Sequence, residues 1–133
     1  MHPQALFLSR YDPLRRLYID RVWERLNEEQ LRFQPAKLNS VAWNLWHVAR
    51  AEDVGINRFV AGRQQGVDTE NWLGRLGLDV RHQGTGQSAA EASEITTRLK
   101  LDALIGYGKR GPRLTPSVMR QGVRGSATLD AEP

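Results

Sequence analysis

Apolar side chains recur at helical spacing along the first part of the chain. After Asp12-Pro13, a capping acceptor followed by a proline, five apolar residues stand three and four positions apart: Leu14, Leu17, Tyr18, Val22 and Leu26. Residues at this spacing share one face, so the pattern predicts a helix over roughly residues 13–27. A short further turn after Asn27 should end before Pro35, because the residue ahead of a proline avoids helical dihedrals.

The segment between Ser40 and Gly62 predicts a helix that is apolar on two sides. Asn39 or Ser40 can cap its start, and Gly62 can end it. In a helical projection, one side gathers Val41, Leu45, Val48, Ile56 and Phe59. The nearly opposite side gathers Trp43, His47, Ala51 and Val54, with Arg58 at the far end. We therefore expect this helix at the centre of a bundle, or between a core and a subunit interface.

The second half of the chain is predicted to hold shorter helices. Residues 63–87 form a long connection with a turn of helix near Trp72, and the Ser88–Glu91 capping box opens a helix that ends near Arg98. Another helix begins around Leu101, and glycines such as Gly106 and Gly108 are expected to stop it early. No run alternates like a strand, so the sequence predicts an all-α domain over residues 1–108 and an irregular basic tail over residues 109–133.

The amino-acid composition limits the kinds of functional site that this chain can form. The 133 residues suffice for one domain, and 40% hydrophobic with 26% charged residues is typical of a globular chain. Without cysteine there is no disulfide or thiolate zinc site, so a metal would need carboxylates or the three histidines, His2, His47 and His82. No apolar run is long enough for a membrane span or a signal peptide, so we expect a cytoplasmic protein without membrane attachment.

The net charge of +4 does not indicate a nucleic-acid partner. Residues 1–102 carry 14 basic and 13 acidic side chains, whereas residues 103–133 carry 5 basic and 2 acidic ones. The excess thus lies in the tail, and no basic stripe with interleaved aromatic residues accompanies it. Solvated surface arginines explain the charge better than phosphate binding does.

His47 is the strongest candidate for a site, as a metal ligand held against an apolar wall; the alternative is a core histidine bonded to a neighbour. Glu52 falls on the main apolar face, about 140° around the helix from His47, so structural pairing is expected rather than shared chelation. Asp53 is equally ill placed for that. His82 precedes Gly84-Thr-Gly86, where backbone N–H groups could receive an anion, although a capped loop explains the glycines as well.

The run from Gln34-Pro35 through Asn39-Ser-Val-Ala-Trp-Asn-Leu-Trp-His47-Val-Ala-Arg-Ala-Glu-Asp53 resembles the second-helix motif of the DinB-like (YfiT-like) helical-bundle family. Leu76-Gly77-Leu78 and the stretch from Arg81 to Glu91 are also similar to that family, so that the likeness covers roughly residues 8–108. The resemblance implies an up-down-down-up four-helix bundle, often a homodimer. It also implies a divalent metal (nickel, zinc or iron) on three histidines, and reactions such as thiol S-transfer that use a low-molecular-weight thiol on a small-molecule substrate.

Only one family ligand has a counterpart here, because His47 matches the histidine of the second helix. The fourth helix, with its His-x-x-x-His pair, has no counterpart, since no histidine follows Lys109. We therefore expect an incomplete bundle of about three helices and a tail altered by truncation or frameshift near residue 108; the alternative is a natural three-helix variant that binds no metal. An uncovered apolar groove would favour association. Two functions follow: a metal-dependent thiol S-transferase or related enzyme with an incomplete metal site, or a non-catalytic bundle or dimerisation module or degenerate remnant.

Overall fold

The computed structural model describes residues 3–79, 82–110 and 120, and every regular element in these ranges is helical. The all-α prediction is therefore confirmed. The predicted basic tail lies almost entirely outside the described residues, as does the first part of the 81–91 stretch.

The first helix, α1, is longer than predicted. It runs through three consecutive pieces: Pro3–Arg16, a wider π-helical stretch Leu17–Val22, and Trp23–Arg25. The predicted start at Asp12-Pro13 is wrong, because Pro13 lies inside the helix. Proline has helical φ but no N–H to donate, so it removes one backbone hydrogen bond without ending this helix. Leu6 and Phe7 lie upstream of it on the same element.

A short helix and a turn connect α1 to the central helix. Helix α2 spans Glu28–Arg32, and Asn27 caps it through a reciprocal capping box with Gln30. A single 3₁₀ turn follows at Pro35–Lys37. The predicted short turn after Asn27, ending before Pro35, is thus confirmed.

The central helix, α3, comprises Val41–Glu52 and a π-helical continuation, Asp53–Val60. Ser40 is its cap, since its Oγ accepts from the Trp43 N–H at 3.0 Å, and Gly62 follows its end with φ +61°. Helix α3 contacts α2 and two helices nearer the C-terminus, Ala89–Arg98 and Leu101–Arg110, so it lies centrally among the described helices. Val48 and Phe59, however, are exposed.

Four shorter helices complete the described fold. They are α4 (Gly66–Thr69), α5 (Trp72–Arg75), α6 (Ala89–Arg98) and α7 (Leu101–Arg110). Ser88 caps α6 by accepting from the Glu91 N–H, as predicted. Contrary to prediction, α7 continues through Gly106. A Cβ at Gly106 would lie 3.1 Å from Trp72 Cη2, so this glycine lets α7 pack closely against α5.

The core lies between α3, α5, α6 and α7. Its largest fully buried apolar side chains are Trp46, Leu76, Leu99, Val67 and Tyr107. Arg32 joins α2 to the end of α6, because its guanidinium donates to the carbonyl oxygens of Thr96 and Leu99 at 2.6 and 2.8 Å. These bonds satisfy carbonyls that the helix end leaves without an intrahelical partner. Packing on α6 and α7 fixes one face of α3 and directs its other face toward the 82–87 loop.

Candidate functional site

The imidazole of His47 is held in one orientation by the loop after α5. His47 is half-buried on α3, and its Nδ1 lies 2.5 Å from the carbonyl oxygen of Gln83. A carbonyl can only accept, so Nδ1 carries the proton and donates. The neutral ring then has its lone pair on Nε2, which has no hydrogen-bond partner among the described residues. This is the tautomer and backbone contact that metal-binding histidines use.

Two tryptophans form the wall behind His47. Trp43 stacks on the imidazole with ring centroids 4.9 Å apart and planes 23° apart, and it meets Trp46 edge-on at 6.0 Å. The Trp43 indole N–H donates to Gln87 Oε1 at 2.9 Å, which ties the wall to the same loop. The ring of His47 is therefore fixed by stacking on one side and by a hydrogen bond at its edge.

Gly84 allows the loop to approach this wall. Its φ is +100°, in the region that favours glycine. A Cβ there would lie 2.8 Å from Trp43 Cζ2, 2.9 Å from His47 Nδ1 and 3.0 Å from Trp46 Cζ3. The site thus requires glycine for both its backbone angle and the absence of a side chain.

His82 has the opposite proton arrangement to His47. Its Nδ1 accepts the Gly84 N–H at 2.9 Å, so a neutral His82 carries its proton on Nε2. The exposed Nε2–H is then a donor, whereas Nε2 of His47 offers a lone pair. His82 is part of the loop, and His47 contacts the loop from α3. Of these two histidines, His47 has its lone pair on Nε2, as a metal ligand requires.

Asp53 of α3 is buried, and its carboxylate takes part in a hydrogen-bond network rather than facing His47. Its carboxylate accepts from the backbone N–H groups of Gly66 and Val67 at 2.6 and 2.9 Å, and from Asn57 Nδ2 at 2.7 Å. The Tyr107 hydroxyl donates to it at 2.6 Å, and buried Arg50 lies 3.4 Å from it. The donors from Gly66, Val67 and Tyr107 hold the start of α4 (Gly66–Thr69) and α7 (Leu101–Arg110) against α3.

Burial and the bond to Asp53 raise the pKa of the Tyr107 hydroxyl well above its ordinary value of 10.0; burial is the larger cause. Tyr107 therefore stays protonated and remains a donor through the physiological range.

Glu52 lies in a different place from His47, as predicted. It is half-buried in a small apolar groove with Trp23, Leu45 and Leu104. Across the described part of the chain, no three His, Asp or Glu side chains come together in a group that could hold a metal ion. His47 is thus a single oriented imidazole, whereas catalytic zinc sites use three protein ligands.

The comparison with known families agrees with this architecture. A sequence profile of the DinB superfamily matches residues 14–105, which is more than half of the chain. The chain belongs to the DinB superfamily. No curated protein matches it. Within this DinB-superfamily chain, His47, Gly84 and the Asp53 network's α3 residues all fall in the matched range, whereas Tyr107 lies just beyond it.

Neither Arg50 nor Tyr107 was recognised from the sequence as part of a buried polar network. The signals were an arginine three positions before Asp53 on the same helix and a tyrosine between Gly106 and Gly108.

In the described ranges, no helix has the length and apolar character needed to cross a bilayer.

Proposed function

We propose that this DinB-superfamily chain binds a divalent metal through Nε2 of His47 and that the site serves thiol S-transfer or a related reaction on a small molecule. The observation that supports the proposal is the Nδ1–H bond of His47 to the Gln83 carbonyl. That bond keeps the proton on Nδ1 and leaves the lone pair on Nε2, which is the arrangement that a ligand histidine needs.

The described residues fit one position of such a site. His47 would hold the metal, while Trp43 and Gln83 keep the ring in place. Nickel, zinc and iron all accept imidazole, and when bound they lower the pKa of a thiol so that the thiolate forms at neutral pH. The proposal takes the remaining ligands from a second copy of the chain and from the thiol itself. It therefore includes a homodimer with one metal for every two chains.

Metal binding by purified protein tests this function. Chelator-treated chain is titrated with Ni²⁺ and with Zn²⁺, and the bound metal is counted by elemental analysis after gel filtration. We expect one tightly bound ion per two chains and its loss in His47→Gln. His82→Gln is the matched control, since it removes the imidazole of the loop that contacts His47 but not the proposed ligand.

Catalysis is tested on the loaded protein with monochlorobimane and a low-molecular-weight thiol. Thiol transfer forms an S–C bond and breaks the C–Cl bond, releasing chloride and a proton, so fluorescence reports the rate. Activity should require both metal and His47. Equal metal content in His47→Gln and the parent, with unchanged secondary structure in both, would refute His47 as the ligand.

A non-catalytic bundle module is the second candidate function. It is favoured by the lack, among the described residues, of a group of His, Asp and Glu side chains that could hold a metal, and by the exposed apolar side chains of α1. Under this alternative, the parent chain holds no metal, and His47→Gln leaves the free energy of unfolding and the oligomeric state unchanged.

A further inference from the structure

We propose that the cleft beside His47 binds a small organic molecule through an anionic group, a carboxylate or a phosphate. The cleft lies between the C-terminal half of α3 and the 82–85 loop, and its volume is about 560 Å³. That volume lies within the range of small-molecule sites. The residues that line it are mostly polar: Arg50, Val54, Arg58, Gln65, His82, Gln83 and Thr85.

The charge of the cleft is positive. Among its described lining residues there is no Asp or Glu. The charge of Arg50 is balanced by Asp53, which lies behind the cleft surface. Arg58 is different, because it is exposed and no carboxylate within the described ranges pairs with its guanidinium, which lies over the ring of Phe59. The unbalanced charge at the cleft is therefore that of Arg58, and an anion would neutralise it.

Hydrogen-bond donors line the wall of the cleft that the 82–85 loop forms, opposite α3 and Arg58. Because Nδ1 of His82 accepts the Gly84 N–H, its exposed Nε2–H is a donor in the neutral ring. The Thr85 hydroxyl lines the same wall and can donate as well. An anionic group between α3 and the loop can thus accept from both walls. A cation would meet a guanidinium and an imidazole donor instead.

The base of the cleft is rigid before any ligand arrives. Nη1 of Arg50 is held by Gln65 Oε1 at 3.1 Å, by the Tyr107 hydroxyl at 3.3 Å and by Asp53 at 3.4 Å. Arg50 is only 2% exposed, so these hydrogen bonds hold a buried guanidinium in place. A preformed base lowers the ordering cost that a ligand must overcome.

The cleft and His47 share one residue of the loop. Gln83 lines the cleft, and its carbonyl accepts from His47 Nδ1. A ligand that contacts the 82–85 loop should therefore alter the surroundings of the His47 ring. This coupling supplies a signal at His47 that binding elsewhere on the surface would not produce.

The test is a titration of the full-length, metal-free chain with three probes of similar size: malonate, inorganic phosphate and the neutral malonamide. Binding is followed by NMR through the His47 ring signals and the Gln83–Thr85 amides. We expect saturable shifts with the anions and none with malonamide; the stronger of malonate and phosphate identifies the anionic group. Arg58→Gln should weaken binding roughly tenfold or more, since it removes a charge-assisted contact.

Matched variants separate a site from general charge attraction. His82→Gln should weaken binding several-fold, whereas Arg25→Gln, which removes an exposed arginine on α1, should leave it within twofold. Arg58 and Arg25 are both exposed, so neither change should affect folding, and melting curves check this. Equal weakening by Arg58→Gln and Arg25→Gln, equal binding of malonamide, or no binding of either anion would overturn the proposal. Because no metal is present, such a result leaves the metal proposal standing.

Discussion

The hydroxyl of Tyr107 donates a 2.6 Å hydrogen bond to Oδ2 of Asp53, although 54 positions separate the two residues in the chain. Both are at most 1% exposed. Asp53 also accepts the N–H groups that open α4, at Gly66 and Val67. One carboxylate therefore joins α3, the start of α4 and α7, and it lies behind Arg50 at the base of the cleft between α3 and the 82–85 loop.

Asp53→Asn should destabilise the chain more than Tyr107→Phe does. The asparagine NH₂ cannot accept, so it leaves at least one buried donor without an acceptor, and it leaves Arg50 without its charge partner. We expect about 3 kcal/mol or more lost from the free energy of unfolding. Tyr107→Phe removes one of several donors and should cost about 1–2 kcal/mol. Urea unfolding at neutral pH measures both.

The control for this pair is Asp79→Asn. Asp79 is exposed and forms a surface ion pair with Arg98, so its substitution should change stability little. If Asp53→Asn and Asp79→Asn had equal effects, the buried network would not be the main support of the loop that follows α3.

Alkaline pH should weaken the fold through Tyr107. Its pKa is raised in the folded chain, so above pH 10.0 the unfolded chain releases this proton before the folded chain does. The folded state therefore binds more protons than the unfolded state in this range, so the free energy of unfolding falls as the pH rises. The slope approaches about 1.4 kcal/mol per pH unit for one group.

This pH effect is measured by urea unfolding at several pH values from 8 to 11.5. The Tyr107→Phe variant lacks the titrating hydroxyl, so its curve should fall less steeply above pH 10. Parallel curves for the parent and the variant would mean that Tyr107 is not protected in the folded chain.

Local patterns predicted most of the helices, because caps and helical spacing act within a few residues. Ser40, Gly62 and Ser88 end or begin helices where the sequence indicates. The start at Asp12-Pro13 was wrong, since the same signal that opens a helix can also lie within one when apolar residues precede it.

The orientation of the site could not be predicted in this way, because it depends on distant groups. The tautomer of His47 is set by a carbonyl 36 residues away, and the burial of Asp53 requires backbone amides from α4 and a hydroxyl from α7. Helical projection placed His47 on the face opposite the main apolar stripe. It could not show which loop covers that face.

Replacing Gly84 by alanine should disrupt the wall behind His47. The new Cβ would lie within 3.0 Å of Trp43, Trp46 and the His47 ring, and alanine is strained at φ +100°. We expect the loop to move and the His47–Gln83 bond to break, with a cost of about 2 kcal/mol or more. Unfolding measurements and the near-ultraviolet circular dichroism of the tryptophans follow both effects.

Gly86→Ala is the control for backbone strain alone. Gly86 has φ +78°, and a Cβ there would have no neighbour within 4 Å. It should cost less than Gly84→Ala and leave the tryptophan signal unchanged. If the two alanine variants behave alike, the close approach of Gly84 to the histidine is not important for the site.

The apolar side chains of α1 provide the test of self-association. Leu6, Phe7, Leu14 and Leu17 are 46–56% exposed, which is unusual for four large apolar residues on one helix. The proposed homodimer would bury them, so Leu14→Gln with Leu17→Gln should raise the dimer dissociation constant at least roughly tenfold. Both positions are exposed in the single chain, so its own stability should change little. Light scattering after gel filtration, over a range of protein concentrations, gives the dissociation constant.

Leu38→Gln is the control, because Leu38 is 64% exposed but lies outside α1. A parent chain that is monomeric at all concentrations, or a double variant that dimerises as the parent does, would exclude α1 as the dimer surface.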